Sequence, residues 1–226
     1  MKKAFLVAFS ILSISVWTGC GGSDEGAISE GVIDYTASVV DQANPMANMA
    51  PSKMSITFKN NKSIAEMSAG MGLFSTSFIS NPETKTLTQL VKLLNKKFSL
   101  VQNEADIKKE NDGYPMEITE LKDTKMIAGY KCKKAHVKIE NQDASPTEFD
   151  IFYTTDLQIQ NPNFANPFYK INGVLMEYQM KKFGLEMKFT AKSVKKEDVD
   201  DAIFEVPADY KKISAQEMNE LFEGLQ

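Results

Sequence analysis

The sequence predicts a single α+β domain, mostly β, built on an antiparallel sheet. Three observations carry that expectation. Short runs rich in β-branched and aromatic residues recur from residue 31 to residue 226, punctuated by Asn, Pro and Gly. Two late runs alternate strictly. Val174, Met176, Tyr178 and Met180 share one face against Glu177 and Gln179; Leu185, Met187 and Phe189 share one face against Glu186, Lys188 and Thr190. That is the pattern of a hairpin whose sheet has one wet face. Finally, Ser214-Ala215-Gln216-Glu217 forms a capping box ahead of Met218, Leu221, Phe222 and Leu225 at helical spacing. It predicts a short amphipathic C-terminal helix.

The other elements follow in chain order. Gly31 to Val40 reads as a first strand, and Asp41 to Ser52, with two prolines, as a loop. Met54, Ile56 and Phe58 alternate with polar residues up to Lys59, which is a half-buried strand. Asn60-Asn61 suits a tight turn, because Asn tolerates positive φ. Ser63 to Ser68 and Leu73 to Ser80 are the next strands, and Asn81-Pro82-Glu83 turns the chain into Thr84 to Leu90. Val91 to Asn111 fits strand or short helix equally. Met116 to Leu121 and Phe149 to Thr154 read as strands. Tyr130 to Ile139 does too, with its face preserved only if Lys133-Lys134 absorbs a bulge. Residues 31–226 show no linker and no internal repeat, so they form one domain.

The chain begins with Lys2 and Lys3, then an apolar run from Ala4 to Trp17. As a helix, that run reaches only ~21 Å, short of a ~30 Å hydrocarbon core. It reads as the h-region of a secretion signal covering residues 1–19. Val16-Trp17-Thr18-Gly19-Cys20 resembles the lipobox of bacterial lipoproteins, with Trp17 where that motif usually has Leu. The resemblance implies that Cys20 is diacylglyceryl-modified and becomes the first residue of the mature protein. Residues 20–30 are then a Gly/Ser/acidic tether. Asp24 and Glu25 resemble the export tag of surface-displayed lipoproteins in Bacteroidetes.

Composition excludes several function classes. Without the leader lysines, 24 basic groups oppose 30 acidic ones, a net charge of about −6. All 26 basic residues of the chain are lysine. Arginine is the preferred fork for phosphate and guanine edges, so nucleic acid is a poor partner. His136 is the only histidine, and Cys132 is the only thiol once Cys20 is acylated. That leaves no intramolecular disulfide and too few ligands for a zinc site. Four residues of regular strand would hold Cys132 and His136 ~13 Å apart, too far for proton transfer. Cys132 reads as a buried small hydrophobe. The run Glu197, Asp198, Asp200 and Asp201 lacks the spaced ligands of a calcium loop and reads as a solvated turn. Met46 and Met49 are too few for a soft-metal site. Gly70-Met71-Gly72 precedes no Lys-Ser/Thr and is no phosphate loop. Gly173 reads as a turn glycine. The expectation is no catalytic residue, no metal and no cofactor.

Three stretches carry a likeness. Ile127-Ala128-Gly129-Tyr130-Lys131-Cys132-Lys133-Lys134-Ala135, then Ile171-Asn172-Gly173-Val174-Leu175-Met176-Glu177-Tyr178, then Val199 through Phe204-Glu205-Val206-Pro207 to Tyr210 occur in this order. The chain thereby resembles an uncharacterised family of Bacteroidetes envelope lipoproteins, itself similar to the LolA-like superfamily of outer-membrane lipoprotein carriers. That resemblance implies a strongly curved antiparallel half-barrel with helices covering a concave apolar face that holds lipid.

Eleven methionines follow Met1, and Met67, Met71, Met176, Met180 and Met187 fall in or beside apolar strands. Methionine suits surfaces that accommodate variable apolar partners, and it equally fills irregular cores. The expected function is a non-catalytic envelope lipoprotein, anchored through Cys20 at the outer membrane on its periplasmic or surface side. It would bind a lipid or acyl chain on the face of Val174, Met176, Tyr178, Met180, Leu185, Met187 and Phe189. The alternative is a structural or protein-interaction lipoprotein whose concave face is filled by its own side chains.

Overall fold

The structure, a computed structural model, describes residues 28–45, 47–140, 146–182 and 185–223, with backbone alone at 49 and 182. The signal segment, Cys20, the tether up to residue 27, Met46, the Met49 side chain and Leu225 lie outside the described residues. Ile28 is already buried, and its carbonyl accepts a hydrogen bond from the Gln158 amide at 3.0 Å. The packed domain therefore starts inside the stretch expected to be tether.

The domain is one open, curved sheet of twelve strands with two helices. The strands are β1 (Glu30–Val39), β2 (Lys53–Lys59), β3 (Lys62–Ala69), β4 (Phe74–Asn81), β5 (Thr86–Leu93) and β6 (Lys96–Gln102). Next come α1 (Glu104–Asp112), β7 (Met116–Ile127), β8 (Tyr130–Ile139), β9 (Thr147–Thr154), β10 (Val174–Lys182) and β11 (Leu185–Lys195). The chain closes with β12 (Lys211–Lys212) and α2 (Ala215–Glu223). In space the order is β12-β6-β5-β4-β3-β2-β1-β11-β10-β9-β8-β7. Two antiparallel meanders, β1–β6 and β7–β11, are thus joined where β11 pairs with β1. Only the short β12 runs parallel to its neighbour, Lys211 opposite Phe98.

This topology requires curvature. α1 carries the chain from β6 to β7, which lie ten inter-strand steps apart. A flat sheet would separate them by roughly 48 Å at ~4.8 Å per step. A nine-residue helix spans ~14 Å, and its few flanking residues add at most ~17 Å. The link can be made only if the sheet curls and brings its two ends together. α1 consequently bridges the two ends of the sheet, and its Glu110 and Asn111 reach the concave side.

Local chemistry places the turns. Asn60 and Asn61 hold φ of 48° and 68°, as their residue type allows. The ambiguous stretch 91–111 resolves into the end of β5, a turn at Leu94 with φ 56°, β6 and α1. Asn103 caps α1: its side-chain oxygen accepts from the Ala105 and Asp106 amides at 2.8 and 3.1 Å, and Asp106 reciprocates at 3.1 Å. At α2, the Ser214 amide donates to the Glu217 carboxylate at 2.7 Å and the Glu217 amide to the Ser214 hydroxyl at 3.2 Å, the reciprocal pair that the capping box predicts. The bulge expected at Lys133-Lys134 lies across the ladder instead. Glu120 pairs with Ala135 and Thr124 with Lys133, so β7 supplies the extra residues.

The main core sits at the β1 and β8–β11 end, where Ile33, Ile151, Tyr153, Phe168 and Met176 are fully buried or nearly so. Gly173 is not a turn glycine. A Cβ there would come 2.7 Å from Tyr153 Cδ2 and 2.8 Å from the Thr154 carbonyl. Glycine lets β10 approach β9 at that point. A separate cluster docks α2 on the inner face through Val91, Ile213, Met218 and Phe222. On the convex face, Ile64, Ile79 and Leu90 pack under the 199–210 segment through Phe204 and Tyr210.

Candidate functional site, an apolar trough on the concave face

Strand alternation builds the site. Register places Met54 and Ile56 of β2, Ala65 and Met67 of β3, and Thr76 and Phe78 of β4 on one face. On the far wall, Tyr178 and Met180 of β10 pair with Phe189 and Met187 of β11 on the same face. Between these walls lies a cavity of about 440 Å³, open along one side. Its size falls within the ~300–1,000 Å³ range of small-molecule pockets. Glu110 and Asn111 of α1, Tyr114, and the Pro162–Pro167 segment close one end, and Phe222 of α2 reaches in as well.

The closing elements are tied together. Asn111 Nδ2 donates to the Phe164 carbonyl at 3.5 Å, and the Tyr114 hydroxyl to the Lys181 carbonyl at 3.5 Å. Asn163 Nδ2 donates to both the Ile171 and Gly173 carbonyls at 2.8 Å, which fixes the 162–173 segment over the sheet. Phe168 from that segment meets Tyr178 edge-on at 5.9 Å, and Tyr178 stacks on Phe189 at 5.1 Å. Burial pushes the Tyr178 and Tyr35 hydroxyls well above the ordinary phenol range. The Tyr35 hydroxyl donates to the Leu175 carbonyl at 2.8 Å, behind this wall.

Of the seven residues expected to form the ligand face, Tyr178, Met180, Leu185, Met187 and Phe189 line the trough. Val174 and Met176 do not; both are buried in the main core. The ladder to β9 slips by one residue between Leu175 and Glu177. Strict alternation therefore does not extend from Tyr178 back to Val174. Of the methionines singled out in the sequence, Met67, Met180 and Met187 line the trough and Met176 is core. Met71 stands fully exposed at 102%. Periodicity alone does not single out the β2–β5 wall as a ligand face. Its signal was present: Met54, Ile56 and Phe58 alternate, and Ala65 and Ala69 keep the facing strand low.

Two polar groups sit in this face without partners. Thr76 Oγ1 and Gln89 Nε2 are buried and make no hydrogen bond, with the residues 4% and 6% exposed. An unpaired buried polar group costs about 1–3 kcal/mol, so each calls for an explanation.

The remaining candidate chemistry is dispersed. Cys132 is fully buried; its Sγ donates weakly to the Tyr130 carbonyl at 3.5 Å, and burial pushes the thiol up to about 11. His136 Nδ1 instead faces Asp150 at 3.0 Å. Lys134 first, and His136 second, hold the Asp150 carboxyl below its ordinary value. Burial opposes ionisation of Glu177, but Lys125 at 2.8 Å and Lys188 at 3.0 Å hold that carboxyl below its ordinary value too. Among the described residues, no group of three or more His, Cys, Asp and Glu could hold a metal ion. The acidic run near residue 200 borders a second cavity, of about 450 Å³, on the convex face. There Asp200 caps a one-turn helix, accepting from the Ala202 amide at 2.9 Å. That groove is broad and mixes Glu66, Glu197 and Glu205 with Ile64 and Leu90, so it lacks a continuous apolar lining.

No protein-family model matches this chain, and no curated protein matches it in sequence.

Proposed function

We propose that this chain is a non-catalytic, lipid-anchored protein of the cell envelope that binds an apolar ligand, a lipid or an acyl chain, in the concave face of its sheet. The observation that carries the reading is the trough itself: about 440 Å³ of open volume between walls of methionine, leucine and aromatic side chains. Protein interiors are close-packed, and voids larger than a water molecule are few. An apolar trough of this size therefore reads as a binding site. The sequence likeness to LolA-like carriers supports the same reading, and the lipobox-like segment ending at Cys20 supports the anchor.

The rim adds support. Leu73 lines the trough and is 54% exposed, and its carbonyl accepts from the amide of Leu94, itself 59% exposed. Met71, on the adjacent turn, is exposed as well, so exposed apolar side chains cluster beside Leu73 at the edge of the trough. Such a lip shortens the path an apolar ligand takes through water.

Filling the trough tests the function. Ala65→Phe places a ring into the open volume beside Met67 and Phe78. The purified Cys20→Ser protein should bind a fluorescent apolar probe, and Ala65→Phe should weaken that binding by about tenfold, ~1.4 kcal/mol, with the thermal midpoint little changed. A parent that binds no probe and carries no lipid in native mass spectrometry would support the structural or protein-interaction alternative.

A further inference from the structure

Side-chain size gives the trough a direction. Ser63, Ala65, Met67 and Ala69 of β3 all line it, and all but Met67 are small. The strands on either side carry taller residues. Register sets Ala65 between Ile56 of β2 and Phe78 of β4, and Ala69 beside Phe74. Met67 is unbranched and can lie along the strand. The result is a furrow that follows β3. Its flanking strands stand two steps apart, ~9.6 Å at ~4.8 Å per step.

Its dimensions match one hydrocarbon chain. From Ser63 to Ala69 the furrow runs ~20 Å at ~3.3 Å per residue. Spread over that length, the cavity of about 440 Å³ has a cross-section of ~22 Å². An extended acyl chain advances ~1.25 Å per C–C bond, as bonds of ~1.5 Å at angles near ~111° require. A methylene fills slightly less than the ~30 Å³ of a water in the liquid, so the chain's own cross-section is ~22–24 Å². Length and volume separately give about fifteen to sixteen carbons. Two chains abreast would need twice that section.

Resting on the ligand site proposed above, we propose that the trough takes one linear acyl chain of about sixteen carbons, so that its ligand is a single-chain lipid, a long-chain fatty acid or a lysophospholipid, and not a diacyl or triacyl lipid. The chain lies along β3, with Met180 and Met187 of the far wall against its flank. Thioether side chains adapt to the bends of such a chain. The trough is open along one side, which leaves the head group in water. The chain, not the head, therefore sets the fit.

The test uses lipids that displace an apolar fluorescent probe from the purified Cys20→Ser protein, each below its micellar concentration. Hexadecanoyl-lysophosphatidylcholine and dioctanoylphosphatidylcholine share a head group and an acyl carbon number, and differ in carrying one chain or two. The single chain should bind about tenfold tighter or more. Along the straight-chain fatty acids, affinity should rise about threefold to fourfold per methylene up to about sixteen carbons, then level off. Hexadecanoate and the lysophospholipid should both displace the probe, and the tighter of the two identifies the source of the chain. Ala69→Phe shortens the furrow by ~7 Å and should move the break down by about five carbons, with decanoate affinity held within about twofold. Ser63→Phe, at the other end of the furrow, carries the same expectation if Ala69→Phe fails to fold. Dioctanoylphosphatidylcholine binding as tightly as the single chain would overturn this proposal and leave the ligand site standing. So would affinity that still climbs at twenty carbons, or a break that neither substitution moves. Failure of every one of these lipids to displace the probe would remove the ligand site, and this proposal with it.

Discussion

The two halves of the sheet use the same alternating strands and end differently. In the half built from β1 and β8–β11, the inner face is filled except where the paired ends of β10 and β11 form the far wall of the trough. The chain between β9 and β10 folds back over it, and Phe168 is buried against Tyr178. In the half built from β2–β5, α1 and α2 reach only the margins, and the inner face stays open as the trough. Alternation creates an apolar face in both places. What occupies that face is decided by a separate segment of chain, long for a strand connection and rich in Asn and Pro. An apolar face is thus a necessary sign of a binding trough and not a sufficient one.

The sharpest way to break this comparison is a matched pair of charges. Met176→Glu puts an unpaired carboxylate where the side chain is 0% exposed. It should destabilise by about 4 kcal/mol or more, a large part of a typical ~5–15 kcal/mol, and leave little folded protein. Met67→Glu, on the half-buried trough wall, should lose about 1 kcal/mol and remain folded. Urea midpoints measure both. Equal losses would mean that the trough wall is as tightly packed as the core.

Gly173→Ala probes the closed half more gently. The new Cβ meets the Tyr153 ring at 2.7 Å and the Thr154 carbonyl at 2.8 Å, and the backbone contact cannot yield by rotamer change. A loss of about 1–3 kcal/mol is expected. Probe binding at saturation should persist, because the contact lies away from the trough lining.

A further test concerns pH. Burial raises the Cys132 thiol from 9.0 to about 11. The folded protein then keeps a proton that the unfolded chain releases, so this contribution is complete below about pH 9 and is lost as pH rises toward about 11. Tyr35 and Tyr178 act in the same direction at still higher pH. Cys132→Ala should flatten the decline in urea midpoint between about pH 8.5 and about pH 10.5 relative to the parent. A parallel decline in both proteins would remove Cys132 as a cause.

By itself the sequence determined the local elements: the strands from β1 to β5, the Asn60-Asn61 turn, the β10–β11 hairpin and α2. Each rests on a period of two or 3.6, or on a cap four residues long, and such signals are read within a few residues. α1 was legible in the same way through Asn103 and Asp106, but the apolar residues around Leu93 and Phe98 obscured it. Tertiary structure decided the rest. The join of β1 to β11, with Val39 opposite Met187, links segments far apart in sequence. The slip at Leu175 that removed Val174 and Met176 from the ligand face is a property of pairing with β9. The emptiness of the trough, and the lack of partners for Thr76 and Gln89, depend on volumes and neighbours contributed by at least six strands. Periodicity says which way a side chain faces; only the assembled chain decides whether anything meets it there.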